Sequence, residues 1–282
     1  MGKFDGVLLA SDFDNTLIYT EEALRTGGEV PPLSKNNRAA LEYFTGNGGL
    51  FTISTGRALP AFLHYAPDLP MNAPGVVCNG AAIYDFARQE YVEVSLLDAT
   101  ALRRGQAVLN AFPTVGCEAY HIANVIHAVH PNEITRQHQH ITHVGIEEKP
   151  SLLDVPLPLG KLLFEEERPV LENVKAFLIR QGWAQDYELI FSGGCLLELT
   201  RKGANKGGMI RRLAKMLEIA PADLYCMGDE ANDLPMLAEA AQGFAPANCI
   251  EAVRNSGATI VADAREDAAA EVISILDRRY PR

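Results

Sequence analysis

The sequence predicts an α/β protein with a doubly wound, mostly parallel core sheet interrupted by an inserted α+β cap domain. Three observations carry this. In residues 1–84, and again in residues 201–282, short apolar runs closed by polar residues alternate with helical stretches. That is the pattern of buried parallel strands joined by helices. Residues 85–200 change character and show the apolar–polar alternation of half-buried antiparallel strands. The first part alone has too few strands to cover its helices, so both ends must pair into one Rossmann-like sheet. A chain of 282 residues has room for such a two-part organisation.

Each element has a local reason. Val7-Leu8-Leu9-Ala10 is a buried strand that stops at Ser11-Asp12-Phe13-Asp14-Asn15-Thr16. Ser34 is placed to cap a helix running to about Phe44, and Gly46-Asn47-Gly48-Gly49 turns into a strand over residues 50–53. That strand ends in Ser54-Thr55-Gly56-Arg57; a short helix follows, and Val76-Val77-Cys78 leads on to Asn79-Gly80. The insertion predicts helices near residues 98–112 and 169–181, and strands near 115–120, 125–129, 161–164, 187–191 and 196–199. Its proline-rich stretch at 152–159 reads as a loop. Beyond Lys202-Gly203-Ala204-Asn205-Lys206-Gly207-Gly208 the alternation returns. A helix runs to Leu217, a strand to Met227 ends at Gly228-Asp229-Glu230-Ala231-Asn232-Asp233, and further strands and helices follow.

Bulk properties exclude several classes. A 48% hydrophobic, 22% charged composition is that of a soluble globular protein. A net charge of -11 argues against nucleic acid or an anionic membrane as partner, although an anionic substrate stays open where a metal and a few cations set the local field. Five scattered cysteines without C-x-x-C spacing read as reduced thiols, and no stretch has the length to span a bilayer or the form of a signal peptide. The expectation is a cytoplasmic protein. No G-x-G-x-x-G turn follows a strand, so a dinucleotide-binding oxidoreductase is disfavoured.

Asp12 and Asp14 lie at the carboxyl end of a parallel strand, the edge where open α/β sheets bind ligands. Two carboxylates so close together require a cation or a shared proton. The set D-x-D-x-T (Asp12 to Thr16), T-G-R (Thr55 to Arg57), K-G (Lys206-Gly207) and G-D-E-x-N-D (Gly228 to Asp233) resembles the haloacid dehalogenase (HAD) superfamily of phosphatases. More narrowly it resembles the Cof-type branch, with a C2-type cap inserted between the second and third motifs.

The resemblance implies Asp12 as a nucleophile that forms an aspartyl-phosphate, and Asp14 as general acid and base. It implies Mg²⁺ held by the side chains of Asp12 and Asp229 and the main-chain carbonyl of Asp14. Phe13, Thr55, Gly56, Lys206 and Asn232 would hold the phosphoryl group, and Asp233 would support Lys206. Asn15 stands where the family commonly has glycine, and asparagine tolerates the positive φ of that turn. Lys202 is expected on the approach loop, Glu230 in the next helix's first turn, and Arg57 carries no assignment.

Six of the seven histidines (His121, His127, His130, His138, His140, His143) fall in the insertion. With His138-Gln139-His140 expected on a strand face or loop without carboxylate or cysteine support, surface or substrate contact is expected over zinc. The function expected is a Mg²⁺-dependent phosphatase of small phosphorylated metabolites. Sugar phosphates come first, read by polar cap residues such as Glu118, His121, Asn124 and Lys161. The alternatives are a phosphomutase of the same superfamily and a non-catalytic sensor of a phosphorylated ligand.

Overall fold

The computed structural model describes residues 2–26, 28–142 and 144–280. In chain order, the first part forms β1 (Leu8–Ser11), α1 (Glu21–Thr26), α2 (Lys35–Gly46), β2 (Leu50–Ile53), α3 (Leu59–Phe62), β3 (Gly75–Val77), β4 (Ala82–Asp85) and β5 (Glu90–Val94). The middle forms α4 (Ala99–Ala111), β6 (Gly116–His121), β7 (Ile126–Val129), α5 (Glu133–Thr142), β8 (Ile146–Glu148), β9 (Leu159–Glu165), α6 (Arg168–Arg180), β10 (Tyr187–Phe191) and β11 (Leu196–Arg201). The last part forms α7 (Lys206–Met216), β12 (Leu224–Met227), α8 (Leu234–Glu239), β13 (Gln242–Pro246), α9 (Glu251–Arg254), β14 (Thr259–Val261) and α10 (Ala268–Arg279).

Both ends of the chain build one parallel sheet in the order β14-β13-β12-β1-β2. Because side chains alternate across a strand, Leu9, Phe51, Tyr225 and Phe244 meet α2 and α10 on one face. Leu8, Ala10, Cys226 and Ala245 meet α7, α8 and α9 on the other. β1 sits between β2 and β12, which the chain reaches on opposite sides, so the switch point of a doubly wound sheet lies at its carboxyl end. A bridge between Ser54 and Val76 joins this sheet to a small antiparallel one, β3-β4-β5, whose last hairpin spans residue 85.

The middle part makes a six-stranded sheet, β10-β11-β9-β6-β7-β8, antiparallel except between β7 and β8. Helices α4 and α6 cover one face through Leu102, Val108, Leu171 and Val174 against Ala119, Leu162, Phe164 and Leu199. The intervening residues of β6, β9 and β11 point the other way, over the carboxyl ends of β1 and β12.

Five elements escape the sequence reading: α1, β4, β5, β8 and α5. The last corrects an expectation, since His138 and His140 stand on a helix rather than on a strand face or loop. His143 lies outside the described residues. None of the described helices is long and apolar enough to cross a membrane, and the five cysteines are free thiols.

Candidate active site

Strand β1 delivers Asp12 to the carboxyl edge, where its main-chain N–H donates to Met227 and its side chain is only 6% exposed. The chain then turns sharply. Asn15 adopts φ +55°, as its residue type allows, and its side-chain oxygen accepts from the N–H groups of Thr20 and Glu21. This turn aims Asp14 along the cavity wall, where Arg57 donates two hydrogen bonds at 2.8 and 2.7 Å and Thr20 a third at 2.7 Å. Arg57, unassigned from sequence, is therefore part of the site and also stacks over Phe13 and Tyr65.

Asn205 caps α7 through Gly208 N–H at 2.8 Å. Lys206 then falls on the buried stripe of that helix with Met209, Ile210 and Leu213. That stripe carries the ammonium under the sheet edge, 2.8 Å from Asp12 and 2.6 Å from Asp233. Asp233 has no oxygen to spare: one takes Lys206, and the other accepts from the N–H groups of Asp229 and Glu230. Gly228 makes this possible, since a Cβ there would sit 2.4 Å from that of Asp233. Glu230 caps the turn that follows, as its first-turn position suggested.

One oxygen from each of Asp12, Asp229 and Asp233 lies within 4.8 Å of the others. Three buried carboxylates face one ammonium, an imbalance of charge that low dielectric makes costly. Burial and then Asp233 push Asp12 well above the usual carboxylate range, with Lys206 opposing. Burial and Asp233 also push Asp229 up to about 7, against the hydrogen bond from Thr16. Lys206 moves the opposite way: burial opposes its charge, but Asp12 and Asp233 outweigh that and raise it. With Asp233 committed, Asp12 and Asp229 hold the open oxygens, and a small divalent cation fits this donor set.

Asp12, Asp14, Gly56, Lys206, Asp229 and Asn232 all line one cavity of about 380 Å³. Thr55 lies just behind, its hydroxyl accepting from Arg57 N–H. The Phe13 ring is buried against Phe62, which leaves its backbone rather than its side chain for a ligand. A larger cleft of about 910 Å³ beside α1 contains none of the motif residues.

Lys161, Glu198 and Tyr120 of the middle sheet and His138 of α5 close the cavity. His121 and Asn124 instead line an adjoining groove, His121 accepting from Ala123 N–H and Asn124 from the Tyr91 hydroxyl. The sequence reading also missed Asn79, which donates to Glu198 and accepts from Asn232, linking the two layers.

A buried carboxylate pair at the switch point of a doubly wound sheet defines a class that comparison with known proteins narrows. Residues 9–273 match the family model of haloacid dehalogenase-like hydrolases, and the chain belongs to that family. It is an enzyme of the HAD phosphoric monoester hydrolase type. The putative phosphatase YxeH of Bacillus subtilis (strain 168) is 27% identical, the match covering 87% of this chain and 89% of that one. The 5-amino-6-(5-phospho-D-ribitylamino)uracil phosphatase YcsE of the same organism is 24% identical, with 94% of each covered. Among solved structures, a haloacid dehalogenase-like hydrolase from Bacteroides thetaiotaomicron superposes with a TM-score of 0.78 at 21% identity, over 96% of this chain and 99% of that one.

Proposed function

We propose that this enzyme is a Mg²⁺-dependent phosphatase of small phosphorylated metabolites, acting in the cytoplasm through an aspartyl-phosphate at Asp12. The observation that supports it most is the Lys206 ammonium bridging Asp12 and Asp233 with Asp229 alongside. Lys206 orients the Asp12 carboxylate and presents positive charge to an incoming phosphoryl group. An Asp12 oxygen attacks phosphorus, the ester P–O bond breaks, and the leaving oxygen takes a proton from Asp14. Asp14 then accepts a proton from water, whose oxygen attacks the same phosphorus. Orthophosphate leaves and Asp12 is regenerated.

Thr55, Gly56, Asn232 and the Phe13 backbone N–H hold the phosphoryl oxygens, and Arg57 keeps Asp14 at the wall. Asp12, Asp229 and the Asp14 carbonyl would hold Mg²⁺, which would neutralise the phosphoryl charge when bound. Residues 85–200 act as the cap, with the β4–β5 hairpin as its stem beside the core. The names of the relatives support a small phosphorylated substrate, and the five free thiols a reducing compartment.

The test is phosphate release with Mg²⁺ from esters of different leaving-group quality. Asp14→Asn is expected to lower kcat on an alkyl phosphate roughly a hundred- to ten-thousandfold, and much less on p-nitrophenyl phosphate, which needs no acid. Equal losses on both would remove Asp14 from the acid role. Product isomerisation without net phosphate release would mark a mutase instead.

A second prediction follows from Asp229. Its folded value of about 7 exceeds its ordinary 3.8. Its contribution to stability is therefore present below that ordinary value and lost as pH rises through 7. A cation that binds the ionised form reverses that loss. The rise in Tm produced by Mg²⁺ is thus expected to be larger near about pH 8 than near about pH 5. A rise independent of pH would mean that Asp229 does not hold the ion.

A further inference from the structure

The cavity roof is the face of the middle sheet turned away from α4 and α6. Alternation along β6, β9 and β11 places Glu118, Lys161, Glu165 and Glu198 there, none more than 2% exposed. Buried charges need partners. Glu198 has a full set: Lys161 at 3.0 Å, Asn79 at 2.7 Å and Ser192 at 2.6 Å. The two remaining carboxylates converge on one atom. Nδ1 of His138 lies 3.2 Å from Glu118 and 3.2 Å from Glu165. Glu118 also accepts from the Tyr120 hydroxyl at 2.6 Å, whereas neither oxygen of Glu165 has a well-formed hydrogen bond.

Helix α5 supplies the ring. Its buried Thr135 packs toward the sheet, and His138, Ile141 and Thr142 follow at helical spacing to line the cavity. Among the described residues, Tyr120, Lys161 and Glu198 complete the charged and titratable groups of the roof beside the three in contact. Burial opposes charge on the ring, but its hydrogen bond to Glu118 and the nearness of the Glu165 carboxylate outweigh that and push it up to about 9. A charged ring donates from both nitrogens. Nδ1 serves the carboxylates, so Nε2–H is the donor left for a ligand.

The rest of the roof says what kind of ligand. Ile126, Ile141, Val144, Leu163 and Leu196 make much of its wall apolar beside Thr142, Lys161 and Ser192, and hydroxyls pressed against the apolar part would lack partners. Three carboxylates stand behind two cations. Even with burial raising Glu165 toward its protonated form, the roof has no net positive charge to reward an anion.

We propose that His138, held by Glu118 and Glu165 as positioning residues, reads the leaving group by donating from Nε2 to an uncharged acceptor such as a carbonyl oxygen. The substrate class is then a phosphate ester whose leaving group is largely apolar and carries that acceptor away from the phosphate. This rests on the phosphatase reading and deepens it.

The test uses the full-length enzyme with Mg²⁺ and benzyl phosphate, its 3- and 4-carbamoyl derivatives, and 4-carboxybenzyl phosphate. The wild type is expected to favour a carbamoyl ester over the other two in kcat/KM. His138→Leu is expected to cut that preference roughly tenfold or more, mainly through KM, with benzyl phosphate little changed. Glu118→Gln, which keeps the ring but loosens it, should move the same preference less, and it carries the test if the leucine variant does not fold. The proposal is overturned by equal kcat/KM for carbamoyl and plain esters, by a preference for the carboxylate, or by equal loss on all esters in both variants. It is also overturned by a stoichiometric divalent metal that His138→Leu removes. No phosphate release from any ester would refute the phosphatase reading itself, and this inference with it.

Discussion

Asp12→Asn is expected to leave a folded protein that binds a phosphate ester and does not turn it over. The amide is nearly isosteric but has no nucleophilic carboxylate, so kcat should fall on the order of 10⁴- to 10⁶-fold, as when other hydrolases lose their nucleophile. Stability should not fall with it. Burial, Asp233 and Asp229 all disfavour the charged form of Asp12, and Lys206 keeps its 2.6 Å partner Asp233 after the change. The variant's Tm in chelator is therefore expected to equal or exceed that of the wild type. Differential scanning fluorimetry alongside a phosphate-release assay checks both halves. Turnover within tenfold of the wild type would remove Asp12 from the chemistry.

Removing the divalent cation is the second large effect. Chelation should abolish activity, Mg²⁺ should restore it, and Ca²⁺ should not. The donor set around Asp12 and Asp229 is compact, with Asp233 already spent on Lys206 and two backbone N–H groups. Mg²⁺ at about 2.0–2.1 Å with retained waters suits two carboxylates. Ca²⁺ prefers about 2.3–2.6 Å and more ligands, and would draw Asp12 away from its line of attack. Full activity in excess chelator would exclude the metal role of Asp229.

The two halves of the site differed in how readable they were. Around β1 the chemistry is contiguous: an apolar strand, two aspartates, and an asparagine that accepts φ +55°. Lys206 was legible only by its place between the other motifs, because a lone lysine is usually solvated; the stripe that buries it with Met209, Ile210 and Leu213 shows in the folded helix. Arg57 was not legible. It follows the T-G pair directly, yet its partner Asp14 is 43 residues away, and nothing local distinguishes a clamp from a solvated arginine.

His138 is the sharper case. Its decapeptide EITRQHQHIT has few apolar residues to set a helical period, so the helix itself escaped notice. Its carboxylate partners belong to two different strands, β6 and β9. A signal did exist. Glu118, Lys161, Glu165 and Glu198 each interrupt an apolar strand at an alternate position, which marks a buried charged face.

The sequence by itself determined the doubly wound core, the interruption in its middle, the carboxylates at the strand ends and the lysine at a helix start. Those follow from strand periodicity, turn chemistry and helix capping, all of which act within a few residues. Tertiary structure alone decided that Arg57 orients Asp14, that His121 stands outside the cavity, and that His138 stands within it. The physical reason is that burial and charge pairing are properties of a place in space: a carboxylate's partner is whichever cation the folded sheets bring within about 3 Å, however far along the chain it was made.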